Sequence, residues 1–382
     1  MTPYGNLLYF LMLAVLFLPI VIYGLKGKKL PIYSTIVGWA LILLIFVNQT
    51  TQLIFFLCFT VFQSGLVLFY KKYRVHKNQS VTFYSVILLA LLPLILTKIQ
   101  PYLFSFTLFG FLGISYVTFK TVQILIEMRD GQIKNMTPFQ FLRFFLFFPT
   151  FTSGPIDRFR RFEKDVEKHY EEGEYKELFY TAIQLIFRGF FYKYIIAHIL
   201  DVYVISNVYL NENLFIYKLI YMYAYSFYLF FDFAGYSAFA IGVSYLLGIQ
   251  TPPNFNKPFL SKNIKDFWNR WHMTLSFWFR DYVFMRLVFL IRKKKWIQNR
   301  YTISYIGYFS LFLLMGIWHG LALHYIVYGL YQAVLIISYD LYERKIKSKK
   351  WIKSSVFTDA LAILITFHFI CFGFLIFSGK LF

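Results

Sequence analysis

Residues 267–274 have the sequence FWNRWHMT, and residues 316–320 have the sequence GIWHG. His272 and His319 lie 47 positions apart, each inside or at the edge of an apolar segment that looks long enough to cross a bilayer. An ionisable side chain is costly in such a segment unless it has a function or a partner. We therefore expect residues 267–331 to organise the fold and to carry its chemistry.

The composition of the chain predicts an integral membrane protein. Of its 382 residues 59% are hydrophobic and 15% are charged, and the mean hydropathy is +0.56. Polar surface is therefore too scarce to coat a soluble globule of this length. The 39 Lys and Arg residues exceed the 18 Asp and Glu residues and give a net charge of +21. They form short clusters between apolar runs, which suits an anionic cytoplasmic leaflet better than nucleic acid, so we expect no nucleic-acid partner.

The apolar runs predict an all-α fold with about 11 transmembrane helices and a few short re-entrant and interfacial helices. Lys26, Lys28 and Lys29 follow the first run instead of preceding it, which indicates a retained helix and not a cleaved signal peptide. No repeat or linker interrupts the chain, so we predict one domain over residues 1–382, located in the cell membrane as a multi-pass protein. The runs cover approximately residues 5–25, 32–47, 52–70, 80–97, 102–126, 178–208, 214–249, 277–291, 301–341 and 356–377.

Two segments do not fit the pattern of spanning helices. Phe139–Phe151 is about 13 residues long and contains Arg143 and Pro149, which favours an element that is either re-entrant or buried in protein over a spanning helix. Arg158–Glu177 is the most polar part of the chain and predicts an amphipathic interfacial helix on the cytoplasmic side. We expect both segments to lie beside spanning helices and not to cross the membrane themselves.

His319 has the surroundings of a general base. Gly316 lets other backbone approach closely on one side, and the large ring of Trp318 excludes water on the other. This setting favours a neutral imidazole that can accept a proton. The alternative is a histidine that only hydrogen-bonds across helices to hold the bundle together.

His272 lies among aromatic and charged residues that do not resemble a lipid-facing helix. At helical spacing it shares a face with Trp268 and Phe279, so it can point with aromatic side chains into an enclosed pocket. Arg270 and Trp271 are its near neighbours. The alternative is an interfacial aromatic belt with a basic edge.

Asp232 is a carboxylate in an aromatic membrane run, so it must be protonated, paired or facing water. We favour an ion-pair partner such as an arginine over acid–base chemistry. Ser237 is not expected to be a nucleophile, because residues 235–239 lack the last glycine of a G-x-S-x-G elbow. His319 and His324 are five positions apart and miss the spacing of a helical zinc pair, so no metal is expected.

Four blocks of the sequence resemble the membrane-bound O-acyltransferase (MBOAT) family and, within it, most closely the DltB-like D-alanyl branch. The blocks are residues 148–158 (FPTFTSGPIDR), 229–248 (LFFDFAGYSAFAIGVSYLLG), 256–286 (NKPFLSKNIKDFWNRWHMTLSFWFRDYVFMR) and 316–331 (GIWHGLALHYIVYGLY). The resemblance implies a helical ring around a thin partition, with a funnel on the outer side and an acyl donor arriving from the cytoplasm. It also implies that His319 is the catalytic histidine and that His272 is the second characteristic polar position. We expect the substrate site to include Trp318, Trp271, Arg270 and Asp232 as well.

The D-alanyl branch further implies a donor and partners. The donor would be D-alanine held as a thioester on the phosphopantetheine of a small acidic carrier protein (DltC-like), with no permanently bound cofactor. A DltD-like membrane protein and extracellular teichoic acid would take part in the later transfer. Three alternatives stay open: an acetyl-CoA-dependent O-acetyltransferase of an exported polysaccharide, a transporter or channel that uses intramembrane His and Asp residues as a proton relay, and a structural scaffold for other cell-envelope enzymes.

Overall fold

The computed structural model describes residues 3–103, 110–171, 173–209, 215–346 and 355–382. These residues form helices and no strands, so the all-α prediction is confirmed for the part of the chain described. The chain divides into two compact units, residues 1–189 with 236–252 and residues 190–235 with 253–382. This division does not test the single-domain organisation, which stays a prediction.

The first unit contains the helices of the N-terminal half. In chain order they are α1 (Leu7–Leu25), α2 (Pro31–Ile45), α3 (Thr50–His76), α4 (Ser80–Leu103), α5 (Ile114–Arg129), α6 (Pro138–Phe145), α7 (Phe159–Glu167) and most of α8 (Glu174–Phe190). The second unit begins with two π-helical stretches, Phe191–Ala197 and Leu200–Ile205. Its other helices are α9 (Ser206–Tyr209), the first part of α10 (Phe215–Leu246), α11 (Ile264–Trp268), α12 (Met273–Phe279), α13 (Met285–Lys294), α14 (Arg300–His319), α15 (Leu323–Lys345) and α16 (Val356–Phe377).

Seven helices among the described residues are long and apolar enough to cross a membrane. They are Leu7–Leu25, Thr50–His76, Ser80–Leu103, Glu174–Val208, Phe215–Leu246, Arg300–His319 and Val356–Phe377. The predicted number of about 11 is not confirmed. One reason is that the apolar run at 32–47 forms the 15-residue α2 and the run at 277–291 is divided by a π-helical turn, Arg280–Phe284. Apolar composition alone did not distinguish these shorter helices from spanning ones.

The two segments that did not look like spanning helices are indeed short in the structure. The segment predicted to be re-entrant or buried in protein forms the eight-residue α6, capped by Thr137 and Gln140, followed by a 3₁₀ turn at Phe148–Thr150. The predicted amphipathic helix over Arg158–Glu177 is too long, because α7 ends at Glu167 and Lys168 takes an extended conformation. Within α7 the amphipathic pattern holds, since its phenylalanines are buried and Arg160 is exposed.

The block at residues 148–158 is held in the first unit by buried polar contacts. Lys120 of α5 donates hydrogen bonds to the Phe144 carbonyl and to the Thr150 hydroxyl, both at 3.1 Å. Asp157 is 1% exposed and accepts from Nε of Arg161 at 2.6 Å. Because each charged group has a partner, this irregular backbone can be buried without an isolated charge.

Candidate functional site

His319 lies at the end of α14, just beyond a close helix crossing. A Cβ on Gly316 would lie 2.5 Å from the Tyr325 carbonyl oxygen and 3.2 Å from the Gly329 Cα, so the backbones of α14 and α15 touch at this point. The chain then leaves the helix at Gly320, and α15 begins at Leu323. The single apolar run at 301–341 is thus two helices, and the histidine lies where they separate.

The imidazole of His319 is surrounded by aromatic rings and is only partly buried. Its ring centroid lies 4.6 Å from that of Trp318 and 4.9 Å from that of Phe377, whose plane is nearly perpendicular. Tyr325 and Tyr328 lie farther away, at 6.1 and 6.4 Å. The rings limit access of water while the imidazole keeps part of its surface open, as a group that meets a substrate must.

His272 is not part of a continuous helix, so the predicted face shared by Trp268, His272 and Phe279 is wrong. α11 ends at Trp268 and α12 begins at Met273. Between them His272 has φ 41° and ψ 52°, a left-handed conformation that is uncommon for a residue with a side chain. The helix pattern therefore breaks at the histidine itself, and local strain is concentrated there.

Asn254 holds this strained backbone in place. Its carbonyl accepts from the Met273 N–H at 2.8 Å, and its side-chain oxygen accepts from the Thr274 hydroxyl at 2.6 Å. Two residues later the N–H of Asn256 donates to the Arg270 carbonyl at 2.9 Å. Asn254 was not among the predicted site residues, and its only signal in the sequence is weak: a polar residue directly after Pro252-Pro253.

The ring of His272 is buried, with 5% of the residue exposed, and lies edge-on to Phe233 at 4.6 Å. Its Nε2 has no hydrogen-bond partner among the described residues. His272 lies outside the seven candidate spans, and burial, followed by repulsion from His319, lowers its pKa from 6.5 to about 3. The two histidines are therefore close enough to interact electrostatically, and His272 is neutral at physiological pH.

The other predicted site residues have different surroundings. Trp318 lies beside His319, whereas Trp271 is buried in an aromatic cluster, 5.6 Å from Phe267 and 4.8 Å from Phe374. Arg270 pairs with Asp266 at 2.7 Å in the same turn of backbone. The structure thus places Trp318 beside His319, has His272 near enough to His319 for an electrostatic interaction, and pairs Arg270 with a carboxylate of the protein itself.

Asp232 forms an ion pair with Lys193. The predicted pairing of this carboxylate is found, but the partner is a lysine and not an arginine. Lys193 was not among the predicted site residues, although a cation inside the apolar run at 178–208 needs a partner just as Asp232 does. In the ranges that the structure describes, no group of three or more His, Cys, Asp or Glu side chains could hold a metal ion.

Comparison with known proteins identifies the family. The sequence model of the MBOAT, membrane-bound O-acyltransferase, family matches residues 32–380 of this chain. The chain belongs to the membrane-bound O-acyltransferase family. It is therefore an acyltransferase of the membrane, consistent with the seven candidate spans among its described residues.

Curated members of the family include relatives that align over the whole chain. A teichoic acid D-alanyltransferase of Bacillus subtilis (strain 168) is 52% identical, over 100% of this chain and 98% of that protein. A teichoic acid D-alanyltransferase of Streptococcus thermophilus is 42% identical over 99% of this chain and 95% of that protein. The probable alginate O-acetylase AlgI of Pseudomonas aeruginosa is 28% identical over 74% of this chain and 51% of that protein. The MBOAT resemblance is thus confirmed.

Proposed function

We propose that this protein is a D-alanyl transferase of teichoic acid synthesis. The observation that carries the proposal is the end-to-end match with curated teichoic acid D-alanyltransferases, at 52% identity for the Bacillus protein. The alginate O-acetylase relative matches only about half of its own length, which makes the acetyl-CoA alternative weaker.

The donor in this proposal is D-alanine held as a thioester on the phosphopantetheine of a small acidic carrier protein, which is DltC-like. The thioester is already activated, so the transfer needs no resident cofactor and no metal. The acceptor is a hydroxyl group on the route to extracellular teichoic acid, and a DltD-like membrane protein takes part in the later transfer.

His319 acts as the general base. Its imidazole takes the proton of the acceptor hydroxyl while that oxygen attacks the thioester carbonyl. The tetrahedral intermediate then collapses, the C–S bond breaks, and the imidazolium returns the proton to the departing thiolate. The products are a D-alanyl ester and the free phosphopantetheine thiol, so atoms and charge balance. The partly exposed ring of His319 supports this role, because a base must reach its substrate.

His272 supports the transfer as a neutral polar group. Its buried Nε2 is available to bind the donor or to stabilise the negative charge that develops on the carbonyl oxygen. The rings of Trp318 and Phe377 beside His319 exclude water that would otherwise hydrolyse the thioester. Asp232 and Arg270 stay candidates for substrate binding, each by exchanging its intramolecular partner for a charged group of the substrate.

The test uses purified protein in liposomes, supplied with either D-alanyl carrier protein or acetyl-CoA and a membrane acceptor. We expect D-alanine transfer, and we expect His319→Ala to reduce it by about 10²-fold to 10⁴-fold, the usual contribution of a general base. His368→Ala is the control, because His368 is exposed on α16 and bonds the carbonyl of Leu364 in its own helix. Transfer of acetyl but not D-alanyl groups would refute the proposed substrate, and near-normal activity of His319→Ala would refute the base.

A further inference from the structure

A cleft in the first unit is not explained by acyl transfer. Its volume is about 640 Å³, including the part open to solvent, and it lies between the start of α2, α6 and α7. The lining residues all belong to the first unit, whereas His319 and His272 belong to the second.

One part of the cleft is basic. Lys28, Lys29 and Arg143 line it, and none of its lining residues is acidic, although Arg143 is paired with Glu163 at 2.6 Å. Lys29 donates to the main-chain carbonyl of Asp165 at 2.5 Å and lies 4.4 Å from the centre of the Tyr170 ring. The Asp165 carboxylate accepts instead from Arg161 and from the Gln250 N–H. The ammonium group of Lys29 is thus bonded to a main-chain carbonyl and not to a carboxylate, while Asp165 and Glu174 are near enough to attract it electrostatically.

The rest of the cleft is apolar and aromatic. Its wall includes Trp39, Phe147, Phe148 and Phe162, with Val166 and Ile249 alongside. A free anion would gain nothing from such a surface, but the glycerol backbone and upper acyl chains of a lipid would.

Two buried donors in the wall point to a ligand with hydrogen-bond acceptors. The indole Nε1 of Trp39 and Nε of Arg143 have no acceptor among the residues that the structure describes. Such donors are costly when they are left unpaired, and the ester oxygens that join the acyl chains of a lipid to its glycerol could pair with them. The first turn of α2, which begins with Pro31, lies in the same region. It has no side-chain cap, so the backbone N–H groups at this helix end favour an anion.

The position of the cleft matches one leaflet of the membrane. Lys28 and Lys29 follow the first apolar helix, and the amphipathic α7 carries further basic residues. Basic loops of membrane proteins lie on the cytoplasmic side, where the leaflet carries anionic lipids. We propose that this cleft binds an anionic phospholipid of the cytoplasmic leaflet, with the phosphate at Lys28 and Lys29 and the acyl chains along Trp39.

The test measures lipid binding to the intact protein in detergent micelles by native mass spectrometry, using phosphatidylglycerol, phosphatidylcholine and inorganic phosphate. We expect phosphatidylglycerol to bind at least about tenfold more tightly than phosphatidylcholine, because each lysine near an anionic group contributes about 1 kcal/mol, or about fivefold. The variant Lys28→Gln with Lys29→Gln should lose this preference. The control, Lys26→Gln with Lys72→Gln, removes the same charge from exposed lysines outside the cleft and should keep it.

Three results would overturn the proposal. They are equal binding of the two lipids, equal lipid binding by the double variant and its control, and displacement of phosphatidylglycerol by inorganic phosphate at the same concentration. The last would indicate a site for a free anion and not for a lipid. None of these readouts depends on D-alanyl transfer, so this proposal and the proposed function fail separately.

Discussion

At the scale of single residues, His272 should make stability depend on pH. Its pKa is about 3 in the folded protein and about 6.5 in the unfolded chain. As pH falls below 6.5, the unfolded state gains a proton that the folded state does not, so the folded protein loses about 1.4 kcal/mol per pH unit. This loss continues until the pH reaches the folded pKa.

The variant His272→Asn isolates this effect, because asparagine does not titrate and tolerates a left-handed backbone. We expect the wild type to lose about 2 kcal/mol more than the variant between pH 7 and pH 5, measured as free energies of unfolding in detergent. Other titrating groups cancel in the comparison. An equal loss in both proteins would mean that His272 has the same pKa in the folded and unfolded states.

Loss of the Thr274 hydroxyl should lower both activity and stability, because this hydroxyl donates to the Asn254 side chain that holds the His272 loop. We expect Thr274→Val to lower transfer about tenfold or more and stability by about 1–3 kcal/mol, since it leaves a buried acceptor without that donor. The control is Thr366→Val, whose hydroxyl bonds only the Ala362 carbonyl in its own helix. Similar activity in the two variants would contradict a role for Asn254 in positioning His272.

The sequence indicated His272 and His319 as candidate site residues but did not indicate the residues that hold them in place. An ionisable side chain in an apolar segment can be recognised from the sequence alone, because the free-energy cost of placing it in the membrane does not depend on the rest of the fold. Asn254 lies in a loop, where polar residues are ordinary, and only the folded structure places it against Thr274. The left-handed backbone conformation of His272 could not be predicted either, because the residue in that conformation is not a glycine.

At the scale of helices, the crossing of α14 and α15 should tolerate no side chain. A Cβ on Gly329 would lie 2.5 Å from the Phe312 carbonyl and 3.2 Å from the Gly316 Cα. Backbone cannot yield as a flexible side chain can, so Gly329→Ala should force the helices apart. We expect a loss of stability of about 1–3 kcal/mol and a larger loss of transfer, because His319 follows this crossing directly.

Gly65→Ala in α3 is the matched control, since nothing lies within 4 Å of a Cβ at that position. Alanine favours a helix over glycine by about 1 kcal/mol, so this variant should be neutral or slightly stabilised. Both variants can be compared by thermal unfolding in detergent followed by size-exclusion chromatography. If Gly329→Ala unfolds at the same temperature as Gly65→Ala, the close crossing does not exist.

The same crossing explains why helix boundaries were harder to predict than helix content. The run at 301–341 is apolar throughout, so hydropathy offers no point of division. The structure divides it at Gly320, where a Cβ would lie 2.5 Å from the Tyr325 ring. The run contains several glycines, and tertiary packing, not local composition, determines which of them ends the helix.

At the scale of the whole molecule, the composition was sufficient to predict a helical membrane protein, because hydrocarbon requires every backbone polar group to be paired internally. It was not sufficient for the number of spanning helices. Short apolar helices such as α2 have the composition of a spanning helix without its length. The surplus of basic residues was visible as well, and it leads to the last prediction.

A net charge of +21, clustered in loops, should attract the acidic carrier protein of the proposed reaction. Salt screens such attraction, since the Debye length falls from about 30 Å at 0.01 M to about 3 Å at 1 M. We therefore expect kcat/KM for the D-alanyl carrier to fall by about tenfold or more between 0.02 M and 0.5 M salt, while kcat changes little. D-alanyl phosphopantetheine without the carrier is the control, because it lacks the acidic surface and should respond weakly. A flat response with the intact carrier would mean that docking depends on apolar contacts, and the basic loops would then serve the lipid surface alone.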